Sequence, residues 1–188
     1  MTQENSIEDR LNAVTIGERT SLQGTIHLDE YNPQWSTHFE DLKVGILTAL
    51  GSSVVKLEHV GSTSIIGMPA KPIIDMVLEV EDATQEELYV QPLEAIGYTL
   101  RIREPDWFEH RLLKSSRIAG NLHVFSHGCS ESQRMIVFRD WLNSHPDDFQ
   151  RYKKTKQALA QKIWQYTQEY ADAKSEVVMA ILTRALAQ

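Results

Sequence analysis

Glu58-His59-Val60-Gly61-Ser62-Thr63-Ser64, followed by Ala70-Lys71-Pro72-Ile73-Ile74-Asp75-Met76-Val77, decides how this 188-residue chain is read. The two segments predict a strand, a Gly-Ser turn, a short loop and a second strand. A turn free of bulky side chains lets backbone N–H groups approach phosphate oxygens. Gly61, Ser62 and Thr63 are therefore candidates for a phosphate cradle, with two hydroxyls as extra donors; an ordinary turn is the plainer alternative. Lys71 adds a point positive charge to the loop. Asp75 lies inside an otherwise apolar strand, where a bare carboxylate is costly and needs a cation, a metal ion or hydrogen-bond donors. A divalent cation held there would bridge phosphate oxygens. A salt bridge at the strand end would satisfy the same carboxylate.

Working outward, Asn32-Pro33 predicts a helix start, with Asn32 as N-cap. Trp35, Phe39, Leu42, Ile46 and Leu50 recur at spacings of three and four before Gly51, the pattern of a helix lying on a sheet. Residues 54–60 predict the first strand and 73–80 a central strand buried on both faces. On the latter, Asp75, Val77 and Glu79 share one face. Residues 84–96 predict a helix opened by a Thr84/Glu87 capping box and interrupted near Pro92. Residues 98–103, 108–114 and 121–126 predict three further strands with antiparallel neighbours. Ser130 and Gln133 predict a capped helix, and the remainder is helical, with one stripe through Tyr152, Leu159, Ile163, Tyr166 and Tyr170. The expected fold is α+β: a mixed sheet of about five strands backed by helices, with a helical C-terminal third. Residues 1–24 are expected to form a polar, irregular arm, and residues 25–188 a single domain.

Composition narrows the classes. The net charge of −7 argues against broad nucleic-acid binding, which needs a basic surface. No apolar run reaches the ~20 residues that span a bilayer. Met1-Thr2-Gln3-Glu4-Asn5 lacks the apolar core of a secretory signal. The single cysteine, Cys129, excludes an internal disulfide and is read as a bland loop residue. A cytoplasmic location is expected. The basic candidates for an anion pocket are Lys71, Arg111, Arg139 and Lys174, and Arg139 can instead pair with acidic neighbours.

Several segments together resemble the GrpB family, which belongs with the polymerase-beta-like nucleotidyltransferases. They are Glu30-Tyr31-Asn32-Pro33-Gln34-Trp35, His59-Val60-Gly61-Ser62-Thr63 and Ala70-Lys71-Pro72-Ile73-Ile74-Asp75, then His110-Arg111 and Asn121-Leu122-His123-Val124-Phe125. Phe138-Arg139-Asp140 and Ala171-Asp172-Ala173-Lys174 complete the series, which covers the chain from about Val14 to Ala185. The resemblance implies a nucleotidyltransferase-like fold. It also implies a nucleotide or other anionic small molecule as ligand, held by Gly61, Ser62, Thr63, Lys71 and Arg111, with Mg²⁺ on Asp75. His123 then becomes a second catalytic candidate, as metal ligand, general base or phosphate contact; a packed histidine is the alternative.

The implied activity is transfer of a nucleoside monophosphate from a nucleoside triphosphate to a small acceptor. The alternative is a non-catalytic ligand-binding or folding-support module, since relatives of the family occur fused to a dephospho-coenzyme A kinase. One departure bears on this choice. The superfamily's second carboxylate, two positions after the first, is replaced by Val77. Glu79 is about 13 Å from Asp75 along a strand, too far to share one ion.

Overall fold

The computed structural model describes residues 6–19 and 21–187. The predicted first long helix is α2, Gln34–Leu50; Pro33 occupies its cap position, and one residue earlier Asn32 Oδ1 accepts from Gln34 N at 3.0 Å. All five spaced apolar residues, Trp35 to Leu50, are buried. They lie on a five-stranded sheet of β1 (Lys56–Val60), β2 (Ile74–Val80), β3 (Tyr98–Glu104), β4 (His110–Ser115) and β5 (Gly120–Ser126). The spatial order is β1-β2-β5-β4-β3. β2 and β5 run parallel and the other neighbours are antiparallel, giving the mixed α+β sheet expected.

Alternation along β2 divides the core. Ile74, Met76, Leu78 and Val80 join Leu122, Val124 and Leu113 beneath α2. Ile46 is fully buried there, so Ile46→Ala would cost about 2–5 kcal/mol. Val60, Val77 and Phe125 pack on the opposite face against Ile136 of α4, Ser130–Ser144. That face also carries Asp75, which is half-buried. The C-terminal third folds as α5 (Pro146–Ala160), α6 (Thr167–Asp172) and α7 (Ser175–Ala185).

Four other local expectations change. The stretch read as an irregular arm contains α1, Ile7–Val14, closed by a Ser6/Asp9 capping box and joined to β3 through a Thr15–Ile102 bridge. Residues 1–5 and Thr20 of that arm lie outside the described residues. The Thr84 capping box is displaced because Asp82 takes the Thr84 N–H at 2.8 Å and the Thr84 hydroxyl at 2.6 Å. Helix is thereby confined to α3, Val90–Glu94, after a 3₁₀ turn at Glu86–Leu88. Cys129, not Ser130, occupies the α4 cap position, without a side-chain hydrogen bond. The stripe running through Tyr170 is not one helix: α5 ends at Ala160, and Ile163 is 80% exposed in the connection.

Candidate functional site

The Gly-Ser turn and the Asp75 strand meet more closely than their separation in sequence suggests. Val60, the last residue of β1, pairs with Asp75, so Gly61 turns away directly over the carboxylate. A Cβ at Gly61 would lie 2.5 Å from Asp75 Oδ2 and 2.8 Å from Asp75 Cβ. Gly61 also has φ of +69°, which disfavours any side chain. The requirement for glycine is thus both steric and conformational.

The loop after Gly61 is fixed at several points. Ser64 Oγ donates to Gly61 O at 2.6 Å, and Thr63 Oγ1 to Ile73 O at 3.3 Å. Asn143 of α4 accepts from Ile66 N at 3.0 Å and donates to Ser64 O at 3.3 Å. Ala70 pairs with Asp29, and each residue's N–H reaches the other's carbonyl at 2.9 Å. Met68, to which the sequence assigned no role, is fully buried with Ile65, Leu142, Tyr152 and Ile181.

Over this loop the C-terminal helices place two further lysines. Lys156 of α5 is 2% exposed, and its Nζ donates to Ser62 Oγ at 2.5 Å and to Pro69 O at 2.7 Å. An ammonium has three donors, so one remains. Lys174, between α6 and α7, lies over the Tyr170 ring at 4.7 Å. With Lys71 and Asp75 they line a cavity of about 160 Å³ whose wall includes Ser62, Thr63, Asn121 and Tyr170. The Tyr170 hydroxyl is buried without a hydrogen-bond partner among the described residues. Tyr152 is buried beside Ser62.

The electrostatics are those of excess positive charge. Burial lowers the pKa of Lys156 well below the ordinary lysine value; Lys174 and Lys71 lower it further, against a pull from Asp75. Lys71 and Lys174 shift down for the same first reason, burial. Asp75 moves up through burial, opposed by a hydrogen bond from Asn121 and by the charges of Lys174, Lys71 and Lys156. The Asn121 Nδ2 to Asp75 Oδ1 distance is 2.8 Å.

The predicted residues divide into three groups. Gly61, Ser62, Thr63, Lys71 and Asp75 come together. His123 lies on the same face of the sheet, opposite Val77, one row from the Asp75–Asn121 pair. Arg111 does not reach the cavity: it is 5% exposed and donates through Nε to Glu86 Oε1 at 2.5 Å and through Nη1 to Glu109 O at 2.7 Å. Arg139 is held by Glu58 and Asp140, each at 2.8 Å. Lys156 was missed because in sequence it is one of several lysines on an amphipathic helix. Its only local signal is its register, four residues after the buried Tyr152.

A family model described as GrpB protein matches residues 25–184. The chain belongs to the GrpB family. It is 49% identical to a UPF0157 protein of Halalkalibacterium halodurans over 178 residues, 95% of this chain and 91% of that protein. A crystal structure of the conserved protein GrpB from Enterococcus faecalis superposes with a TM-score of 0.76 at 28% identity, covering 86% of this chain and 98% of that one. The chain is also 26% identical to a dephospho-CoA kinase of Mycolicibacterium paratuberculosis, covering 80% of this chain and 43% of the kinase.

This GrpB-family site fits a protein-held magnesium ion poorly. Mg²⁺ takes oxygen ligands in a near-ideal octahedron. Here a single carboxylate is engaged by Asn121 and surrounded by three lysines, and Val77 occupies the next position on its face. Glu79 is already committed to Ser132, His127 and Lys56. No group of three or more metal-ligating side chains forms among the described residues.

Proposed function

We propose that this GrpB-family chain binds the phosphates of a small phosphorylated ligand, a nucleotide foremost, in the cavity between the Gly61 loop and the C-terminal helices. The observation that carries this reading is the convergence of Lys71, Lys156 and Lys174 on one carboxylate. With all four groups charged, the pocket has an excess of two positive charges. Burying like charges is costly unless a counter-ion enters. A phosphate group brings negative charge and oxygen acceptors for the remaining ammonium donor and the Ser62 hydroxyl. The lysines supply the neutralisation that a metal pair provides elsewhere.

The test is isothermal titration calorimetry with inorganic pyrophosphate and with ATP. Wild type should bind both. Lys156→Met and Lys174→Met should each weaken binding by about tenfold or more, the 1.4 kcal/mol expected for one lost charge-assisted hydrogen bond. Absence of binding to the wild type would refute the reading.

A second reading goes further, to transfer of a nucleoside monophosphate onto a small acceptor. His123 favours it, because an imidazole stands on the same face of the sheet as Asp75, one row from the Asp75–Asn121 pair that lines the pocket. Pyrophosphate release separates transfer from binding alone. The similarity to part of a dephospho-CoA kinase supports an accessory role acting between chains if no release is found.

A further inference from the structure

His123 follows Asn121 on the same face of β5, two residues or about 6.6 Å further along the strand. Its Nδ1 lies 3.0 Å from His110 Nε2, and His110 Nδ1 lies 2.6 Å from Glu104 Oε2. His110 is 3% exposed. Its ring stacks with Phe125 at 4.9 Å and with His123 at 5.1 Å, while Trp107 meets it edge-on at 5.3 Å. Three polar side chains from three strands thus form one hydrogen-bonded line ending one row of the sheet from Asp75 and Asn121, which line the lysine pocket.

The donor inventory gives this line a direction. An ionised carboxylate only accepts, so His110 Nδ1 carries a proton toward Glu104. A neutral His110 then has a bare Nε2, and the proton between the two rings belongs to His123 Nδ1. That leaves His123 Nε2 bare. Burial and the neighbouring His110 lower the His123 pKa to about 3, which keeps the ring neutral in ordinary buffers.

We infer that Glu104, His110 and His123 form a proton relay in which His123 Nε2 is the base for a hydroxyl-bearing second ligand beside the phosphate pocket. The inference rests on that pocket holding a nucleoside triphosphate. The hydroxyl oxygen bonds to the α-phosphorus while the bond to the α,β-bridging oxygen breaks and pyrophosphate leaves. The hydroxyl proton passes to His123 Nε2, and the Nδ1 proton moves toward His110, whose added charge faces Glu104. Glu104 and His110 are positioning residues. Trp107 and Phe108, 42% and 45% exposed at the β3–β4 turn, border the relay with apolar surface. A small alcohol with a flat apolar group fits such a rim.

Two measurements test the relay. Two-bond ¹⁵N–¹H NMR on the full chain, with resonances assigned through His123→Asn, should show His123 protonated at Nδ1 only, and Glu104→Gln should mix the tautomers. A wild-type proton on Nε2 would overturn the relay. Pyrophosphate release from ATP, with benzyl alcohol as the hydroxyl probe, should fall about 100-fold in kcat in His123→Asn with KM for ATP unchanged. Glu104→Gln should give a smaller fall and an altered pH profile. Equal rates, or no release by wild type that still binds pyrophosphate, would sink the relay alone. Failure of wild type to bind pyrophosphate would sink the pocket reading and the relay's role with it.

Discussion

Gly61 and Asp75 constrain one another at atomic distance, and each depends on the other's shape. Gly61→Ala places a methyl against the carboxylate and strains a positive φ. The cost should be about 3 kcal/mol, read as a lower urea midpoint. The lysines set a pH dependence. Their folded pKa values lie below 10.5, so between those values and 10.5 the unfolded chain holds more protons. Their combined contribution to ligand-free stability therefore rises with pH across that window. Urea midpoints measured against pH should show a shallower rise in Lys156→Met. His123 and His59 act at the other end, with pKa values lowered from 6.5 to about 3 and about 4, burial being the main cause in each. As pH falls below 6.5 the unfolded chain takes up protons that the folded chain refuses, and stability declines until the folded values are passed. His59→Asn should flatten that decline, measured by the same titration in acid.

Among the elements, the loop between β1 and β2 shows how the proposed phosphate cradle stays open without collapsing. Its apolar residues Ile65 and Met68 anchor it in the helical layer, while its polar backbone is held by Asn143, Lys156 and Asp29. Asn143→Ala removes two hydrogen bonds to the loop and should destabilise the protein by only about 1 kcal/mol, because the site is exposed. Hydrogen exchange of the Ile66 amide should nonetheless accelerate, and pyrophosphate affinity should weaken with it. An unchanged exchange rate would mean the loop does not need this contact. Arg111 shows the opposite outcome, a cation spent on architecture. With Arg103 it grips Glu86, tying the turn at Glu86–Leu88 to β3 and β4. Sequence could not distinguish that use from phosphate binding, because Glu86 becomes its neighbour only when the strands pair.

At the scale of the whole molecule, the sheet supplies one wall of the pocket and the C-terminal helices the other, so a ligand between them should stabilise both layers together. Pyrophosphate at about 100 times its Kd should add about 2.7 kcal/mol, seen as a raised Tm in scanning fluorimetry. Magnesium chloride alone should leave the Tm unchanged. A shift with the metal and no nucleotide would point back to a carboxylate-held ion. No helix among the described residues is long and apolar enough to cross a membrane. The sequence by itself determined the five strands, the α2 face and the Gly61–Asp75 core of the candidate site. Those features rest on local periodicity, turn chemistry and an unpaired carboxylate in an apolar run, all written in neighbouring residues. Tertiary structure alone decided that Lys156 enters the pocket, that of the basic candidates Lys174 joins it and Arg111 does not, and that Glu104 and His110 stand behind His123. Each of those outcomes depends on which side chains meet across elements distant in the chain, where burial and pairing, not spacing, set the charge that a residue carries.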